Sequence, residues 1–310
     1  MVAASLLCPG PFTVENVPRI RDVATLLDVL AHLDVAVEVT GDHELMLDSS
    51  GMSGSDPDPQ AAQTIRGSFL LAPGLLHRHG RAVLPKPGGD KIGRRRLDTH
   101  LLALRQLGAE VKANGFYELT LKGRFKGADI FLDEASVMAT ENAVMAASVA
   151  RGTSSILNAA SEPHVQGLCH ALNAMGAKIS GIGTNLLIVE GVDELKPARH
   201  RLSPDHIEVG SFVAIAAMTG GELRVENVVP DHLRMIRLVF SRLGVETRFE
   251  GTTLVVPADQ SREIVSEFVS GTAESSIPSF RTSPQIRFAI SDRNGQTLPP
   301  LSVKRIGAEQ

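Results

Sequence analysis

Leu107-Gly108-Ala109-Glu110-Val111, with the turn Asn114-Gly115 and the segment Glu118-Leu119-Thr120-Leu121 behind it, is the stretch that decides the fold. A glycine directly after the last apolar residue of a helix takes the left-handed conformation that ends the helix. Asn-Gly between two apolar segments is a strong β-hairpin turn. The stretch therefore predicts the end of a helix, a strand, a tight turn and a second strand.

The same sequence pattern recurs as Met175-Gly176-Ala177-Lys178-Ile179 and as Leu243-Gly244-Val245-Glu246-Thr247. The helix-ending glycines at 108, 176 and 244 are 68 residues apart each time, and so are the turn glycines at 115, 183 and 251. An earlier copy is Leu33-Asp34-Val35-Ala36-Val37, where Asp34 stands in the place of the glycine. Repeats of this length predict units that bury their apolar faces against one another.

Each phrase is preceded by further elements of the same unit. The unit opens with a strand that often ends in asparagine. An apolar, alanine-rich helix precedes this strand. The strands are Phe12–Asn16, Ser155–Asn158 and Leu223–Asn227, and the helices are Asn142–Val149 and Ser211–Met218. In the first copy, Val23, Leu26, Leu27, Leu30 and Leu33 lie on one helical face. With a strand such as Asp129–Leu132, the unit is βαβαββ.

Composition limits the class of protein. The chain has 310 residues, long enough for two domains, with 43% hydrophobic and 21% charged residues. A net charge of −4, one tyrosine and no tryptophan disfavour a nucleic-acid binder. Cys8 and Cys169 give neither a disulfide framework nor metal-ligand spacing. No apolar run reaches the roughly 18 residues of a membrane span, so we expect a cytoplasmic protein whose first eight residues are the tail of a helix.

One loop, residues 85–98, breaks the repeat. The strand-opening and helix-ending glycines are 24 residues apart at 152 and 176 and 23 apart at 221 and 244, but 28 apart at 80 and 108. The extra residues fall in this loop, which carries three glycines, two prolines, five cations and two carboxylates. Glycines let backbone N–H groups approach an oxyanion, and arginine matches phosphate geometry. The loop predicts an anion site on the working face, although a solvated charged turn has the same composition.

The loop Pro87–His100 resembles the catalytic loop of the UDP-N-acetylglucosamine 1-carboxyvinyltransferases, members of the enolpyruvyl transferase family. The segments Ala135–Asn142, Asn158–Pro163 and Pro204–Gly210 resemble the same enzymes. The resemblance implies an inside-out α/β barrel of βαβαββ repeats in two domains, with the active site in the cleft between them. It implies transfer of enolpyruvyl from phosphoenolpyruvate to the 3′-hydroxyl of UDP-N-acetylglucosamine, with release of phosphate, as the first committed step of peptidoglycan synthesis. No metal or organic cofactor is implied.

Asp90 stands where most members carry a cysteine that acts as general acid toward the phosphoenolpyruvate methylene, and some members carry aspartate there. A carboxyl donates a proton only while it is protonated. The neighbouring cations Lys91 and Arg94, themselves candidate site residues, favour the ionised form, so the substrate phosphate has to offset them. Because the antibiotic fosfomycin alkylates the thiolate of the family, we hypothesise that Asp90 makes this protein insensitive to it.

The resemblance also implies the substrate-binding residues. Arg66 matches an arginine that contacts substrate, although a solvent-facing helix arginine is the alternative. The UDP-sugar segment is matched by Arg95, Arg96, Leu97, Asp98 and Thr99, and a second nucleotide-binding segment by Ser136 and Val137. Glu134 replaces the lysine that often precedes that second segment. His100 and Glu162 are further candidates, His100 as a residue that orients the loop and Glu162 either in the site or simply as a helix N-terminal carboxylate.

We expect a first domain at residues 1–202 without its first strand, a partial second domain at 203–280, and a tail at 281–310 outside the family. The Gly-Ala-Lys-Asn segment that holds phosphoenolpyruvate, and the aspartate motif expected after Phe280, do not occur in the sequence. Codons for Arg281–Gln285 read one base earlier can encode Pro-Asp-Leu-Thr-Ser, so we hypothesise a frameshift near Phe280. We therefore expect impaired activity.

Two other readings stay open. One is 5-enolpyruvylshikimate-3-phosphate synthase, which shares the fold and the chemistry, although the loop and Ala139–Asn142 match the UDP-sugar enzyme better. The other is a non-catalytic remnant that still binds UDP-sugar, or a structural partner of another protein. The sequence does not determine the oligomeric state.

Overall fold

A computed structural model describes residues 1–89 and 96–260. Repeats 1 to 3 follow the predicted order of strand, helix and hairpin. Repeat 1 consists of β1 (Pro11–Glu15), α1 (Arg21–Ala31), β2 (Ala36–Gly41) and β3 (Glu44–Asp48). Repeat 2 consists of β4 (Arg81–Pro85), α4 (Asp98–Gln106), β5 (Glu110–Ala113) and β6 (Phe116–Thr120). Repeat 3 consists of β8 (Thr153–Leu157), α6 (Pro163–Ala174), β9 (Lys178–Ser180) and β10 (Leu186–Glu190).

A fourth repeat follows the same plan. It consists of β12 (Leu223–Val225), the 3₁₀ helix Pro230–Leu233, α8 (Arg234–Arg242), β13 (Arg248–Glu250) and β14 (Thr253–Val256). The elements between repeats are the 3₁₀ helices Val2–Leu7 and Arg66–Leu71, helices α2 (Pro59–Ala62), α3 (Ala72–His79), α5 (Val137–Ser148) and α7 (His206–Thr219), and strands β7 (Asp129–Phe131) and β11 (Ala198–Arg201). The predicted helix at the first residues is thus a 3₁₀ helix.

Within each repeat the first strand pairs antiparallel with the last, as Phe12 does with Leu47, and the last pairs with the middle strand. Two sheets gain a parallel fourth strand from elsewhere in the chain. β7 lies beside β8, and β11 lies beside β1 with Phe12 opposite Ala198. The sheet of repeat 1 is therefore completed by a strand that follows repeat 3.

Left-handed backbone recurs at equivalent positions. The glycines that end the helices, Gly108, Gly176 and Gly244, have φ of 102°, 101° and 71°, and Asp34 takes 62° in the place of the missing glycine. Asparagine tolerates this conformation better than most other residues. The strand-ending asparagines also adopt it: Asn16 has φ 59° and donates its side-chain amide to the Leu202 carbonyl at 3.0 Å. Asn16 therefore both turns the chain and ties the end of β1 to the residue that follows β11.

The buried apolar residues form two clusters, one within residues 2–195 and the other within 209–256. In the first cluster α3 packs against both the 3₁₀ helix Val2–Leu7 and α5, and α5 also packs against α4 and α6. The predicted boundary at residue 202 lies between the clusters and stays a prediction, as does the division at 280, because residues 261–310 lie outside the described part. None of the helices in the described ranges is long and apolar enough to cross a bilayer.

Candidate active site

The chain enters the loop through two glycines. A larger residue at either position would require the backbone to shift. A Cβ on Gly88 would lie 2.1 Å from the carbonyl oxygen of Gln63, and Gly89 has a left-handed φ of 92° beside Arg66. The backbone after β4 is thus pressed against the segment that leads into Arg66. Asp90, Lys91, Arg94 and Arg95 lie outside the described residues, so their predicted roles stay predictions.

The chain leaves the loop at Arg96. Nη2 of Arg66 donates to the carbonyl oxygen of Arg96 at 2.9 Å, which joins both ends of the loop to one arginine. Nε of Arg96 donates to Oδ2 of Asp98 at 2.5 Å, in a pair exposed to solvent. An exposed ion pair adds at most about 1 kcal/mol, so this pair orients the arginine more than it stabilises the fold. Leu97 is buried in the core and anchors the exit.

The first turn of α4 is tied to the segment that precedes α5. The hydroxyl of Thr99 donates to Oδ1 of Asp133 at 2.7 Å. Ser136 caps α5, its hydroxyl accepting from the Ala139 N–H at 3.5 Å, and Val137 is the first residue of the helix. The unpaired N–H groups and the dipole of a helix N-terminus favour an anion. The predicted UDP-sugar residues from the two segments are therefore brought to neighbouring helix N-termini.

His100 is buried rather than placed at the surface of the loop. Its ring is 2% exposed and stands edge-on to Phe69, with ring centroids 5.4 Å apart. Burial lowers the pKa of His100 to about 4, and the Arg66 guanidinium adds to the effect. Most of the other histidines are partly or fully exposed, as expected, but burial also lowers the pKa of His77 to about 4. His100 is therefore neutral near pH 7 and lies within the core, and its predicted role in orienting the loop stays a prediction.

Asn142 determines which nitrogen of His100 carries the proton. Its Nδ2 donates to the carbonyl oxygen of Phe69 at 3.2 Å and lies 2.9 Å from Nδ1 of His100. Since the Phe69 carbonyl only accepts, the amide nitrogen must face it, and its second hydrogen points at the histidine. Nδ1 of His100 is then the acceptor, and Nε2 carries the hydrogen. Sequence reasoning quoted Asn142 in a motif but assigned it no role.

Two more residues were not predicted. Burial raises the pKa of Glu141 to about 7; the charge of the nearby N-terminal amine opposes this rise, and nearby Glu162 adds to it. Thr140 accepts from the Ala160 N–H at 3.0 Å and so ties α5 to the segment before Glu162. Glu162 occupies the N-cap position of α6 but its side chain makes no capping hydrogen bond. Glu162 therefore does not act as a side-chain cap, and its carboxylate is near Glu141. The segment Ala135–Asn142 includes Glu141, but the sequence assigned it no role because its altered acidity comes from packing.

The sequence model of one family, described as EPSP synthase (3-phosphoshikimate 1-carboxyvinyltransferase), matches residues 1–273. The chain belongs to the EPSP synthase family. The match spans all four repeats and the loop between β4 and α4. The prediction of an enolpyruvyl transferase fold built from βαβαββ repeats is thereby confirmed.

Relatives that match most of this chain are UDP-N-acetylglucosamine 1-carboxyvinyltransferases. A UDP-N-acetylglucosamine 1-carboxyvinyltransferase of Bradyrhizobium diazoefficiens is 50% identical over 268 residues, which are 86% of this chain and 62% of the relative. One of Treponema denticola is 48% identical over 263 residues, 85% of this chain and 62% of the relative. The chain thus spans less than two thirds of the length of these relatives.

Solved structures share the fold at lower identity. The enolpyruvyl transferase NikO of Streptomyces tendae superposes with a TM-score of 0.70 at 23% identity, covering 83% of this chain and 62% of that protein. EPSP synthase of Acinetobacter baumannii superposes with a TM-score of 0.60 at 19% identity, covering 82% of this chain and 60% of that protein. At these identities the likeness concerns the fold alone.

Proposed function

We propose that this protein acts in enolpyruvyl transfer from phosphoenolpyruvate to the 3′-hydroxyl of UDP-N-acetylglucosamine. The observation that carries the proposal is the Thr99–Asp133 hydrogen bond, because it joins the helix N-terminus behind the loop to the one capped by Ser136. Two neighbouring helix N-termini, with Arg66 and Arg96 beside them, suit the diphosphate of a nucleotide sugar. The names of relatives 48–50% identical agree with this acceptor.

In the proposed reaction Asp90 supplies a proton to the methylene carbon of phosphoenolpyruvate while the oxygen of the sugar hydroxyl bonds to the adjacent carbon and releases its own proton to solvent. Loss of a proton from the methyl group then expels phosphate and restores the double bond. The chain's own contribution is to hold the anions and to present one protonated carboxyl. His100, neutral in the core, supports the loop without adding a charge that would ionise Asp90 further.

The test is phosphate release from the full chain with UDP-N-acetylglucosamine and phosphoenolpyruvate, together with calorimetry of the nucleotide sugar alone. We expect binding that weakens about tenfold or more in Arg66→Ala. The matched control is Arg224→Ala, which removes an exposed arginine paired with Glu250 in repeat 4. Turnover abolished by Asp90→Asn supports the proposed acid.

The outcomes separate the candidate functions. Binding without turnover supports a UDP-sugar-binding remnant instead of an enzyme. Release with shikimate 3-phosphate as the acceptor, but not with the UDP-sugar, supports the sister enzyme. Folded protein that shows neither binding nor turnover would contradict the proposed function.

A further inference from the structure

Three histidines meet where the chain passes from the first apolar cluster to the second. His164 is the second residue of α6, His206 is the first residue of α7, and His232 lies in the 3₁₀ helix Pro230–Leu233 of repeat 4. The rings of His164 and His206 are stacked, with centroids 5.7 Å apart and planes 23° apart. The ring of His232 stands edge-on to that of His206, with centroids 6.4 Å apart. We call these three rings the histidine contact.

The histidine contact joins parts of the protein that have separate cores. α6 contributes Leu168 and Leu172 to the first cluster, whereas α7 contributes Val209 and Val213 to the second. The main packing of α7 is with β12, β14 and the 3₁₀ helix of repeat 4, all within the second cluster. Histidine is the side chain whose ordinary pKa lies closest to neutral pH. A group that changes its charge in the physiological range therefore lies between the two cores.

The geometry of the histidine contact does not suit a metal ion. In a near-parallel stack the ring faces, and not the ring nitrogens, are turned toward each other. Zinc needs nitrogen or sulfur ligands that converge on one point. Within residues 1–89 and 96–260, no group of three His, Cys, Asp or Glu side chains is placed to hold such an ion. The contact is therefore made by the rings themselves, and their charge determines its strength.

Protonation weakens the histidine contact in two ways. Two imidazolium rings 5.7 Å apart repel each other, whereas neutral rings do not. Nδ1 of His232 is buried and has no hydrogen-bond partner in the part of the chain that the structure describes. A protonated ring carries a hydrogen on both nitrogens, so protonation of His232 places an unpaired N–H in a buried position.

The surroundings of His164 favour its neutral form. Burial lowers the pKa of His164, and the ring of His206 lowers it further. Glu162 and Asp205 oppose this shift, because a carboxylate favours an imidazolium beside it. The Asp205 carboxylate also accepts hydrogen bonds from two N–H groups in the first turn of α7. The balance leaves the pKa of His164 below its ordinary value of 6.5.

His232 is shifted in the same direction. Burial lowers its pKa, His206 adds to the effect, and Asp231 opposes it. Asp231 is itself paired with Arg234 of α8 at 2.5 Å, in an ion pair exposed to solvent. Because the folded-state pKa of His164 and of His232 lies below the unfolded value, a loosened state binds the protons first. The stabilisation is fully present above pH 6.5 and is lost as the pH falls below it.

The other charges on the elements that pack against α6 and α7 are engaged elsewhere. On α5, Glu141 lies near Glu162 and has a pKa raised by burial to about 7. The charged side chains of the neighbouring strands have partners of their own: Lys178 with Glu190, Arg199 and Arg201 with Glu15, Arg224 with Glu250, and His200 near His170. The charges that act directly on the histidine contact are those of Glu162, Asp205 and Asp231.

We propose that the histidine contact is a pH-dependent device that holds α7 and repeat 4 against repeat 3 near neutral pH and releases them on acidification. It acts at the N-terminal ends of α6 and α7, where the stacked rings bridge the two cores. Release leaves each apolar cluster intact, because the elements of each cluster pack mainly against one another. The device involves no substrate, so it does not depend on the proposed function.

Hydrogen–deuterium exchange of the full chain at pH 7.5 and pH 5.5 tests the proposal, with rates corrected for the intrinsic effect of pH on exchange. The protection of peptides covering residues 206–219 and 230–233 is divided by that of α5, which reports any general loss of stability in the first cluster. We expect this ratio to fall about fivefold or more at the lower pH. An unchanged ratio would overturn the proposal.

A double variant tests the rings. His164→Phe with His232→Phe keeps an aromatic ring at both positions but removes their titratable nitrogens. It should retain the wild-type ratio at pH 7.5 and lose most of the fall at pH 5.5. If circular dichroism shows that the double variant is unfolded, His164→Phe alone replaces it and should reduce the fall.

The matched control replaces two exposed histidines outside the histidine contact, His32→Phe with His170→Phe. It should show the full fall in the ratio. A fall that persists unchanged when the rings of the contact are replaced, or that disappears in the control, would contradict the proposed device.

Discussion

The side-chain amide of Asn142 holds Nδ1 of His100 at 2.9 Å, across 42 residues of sequence. Because the same amide nitrogen also donates to the Phe69 carbonyl, its orientation is fixed from the other side. Oδ1 of Asn142 is buried and has no hydrogen-bond partner among the described residues. A buried acceptor without a partner costs about 1–3 kcal/mol.

Asn142→Asp should reverse the tautomer of His100. A carboxylate accepts where the amide donated, so Nδ1 becomes protonated and the pKa of His100 rises from about 4. The Phe69 carbonyl loses its donor, and we expect a loss of about 1–3 kcal/mol in the free energy of unfolding. Nitrogen-15 NMR of the imidazole rings measures the tautomer. Asn173→Asp, which alters a pairing with Ile179 far from this ring, should leave the His100 signals unchanged.

Stability should fall as the pH drops from 6.5 toward 4. The folded-state pKa of His100 is about 4, below the unfolded value of 6.5, so the unfolded state binds the proton first. The contribution of His100 to the free energy of unfolding is fully present above pH 6.5. By pH 5 roughly 2 kcal/mol of it is lost. Urea unfolding at pH 7 and pH 5 measures it. In His100→Gln the difference in free energy of unfolding between pH 7 and pH 5 should shrink by about that amount.

His77 contributes to the same pH range, because burial also lowers its pKa to about 4. His77→Gln should therefore flatten the pH dependence further when it is combined with His100→Gln. His32 is exposed and serves as the matched control. An equal flattening from His32→Gln would show that the pH effect does not come from the buried rings.

Gly88→Ala should disturb the loop, because its Cβ would lie 2.1 Å from a backbone oxygen that cannot rotate away. We expect a loss of about 1–3 kcal/mol in stability and weaker binding of the nucleotide sugar. Gly67→Ala is the control, since a Cβ there meets nothing within 4 Å and its backbone is not left-handed. Equal effects from the two substitutions would mean that the close approach at Gly88 does not matter.

Fosfomycin should leave the wild-type chain unmodified and should form a covalent adduct with Asp90→Cys in the presence of UDP-N-acetylglucosamine. Cys8 and Cys169 provide internal controls, because burial raises the pKa of their thiols to about 11 and about 12. Thiols that stay protonated react slowly with an epoxide. Mass spectrometry of the intact protein and its peptides identifies the site. An adduct on Asp90 of the wild-type chain would refute the predicted insensitivity.

The repeats, their hairpins and the residues that end their helices followed from the sequence alone. These features depend on contacts between residues a few positions apart, such as the left-handed turn at Gly108 or Asp34. The loop was also recognisable, because its extra residues break a regular spacing. Local backbone preference and apolar periodicity fix such features before any long-range contact forms.

Only the tertiary structure decided what those elements bring together. The joining of Arg66 to Arg96, of Thr99 to Asp133 and of Asn142 to His100 spans 30, 34 and 42 residues. The burial of His100 and the exposure of Phe212 and Ile215 on α7 depend on which elements pack beside them, and residue spacing along one helix does not encode that. Sequence pattern specifies which face of an element is apolar, whereas the partner that buries it is set by how the repeats assemble.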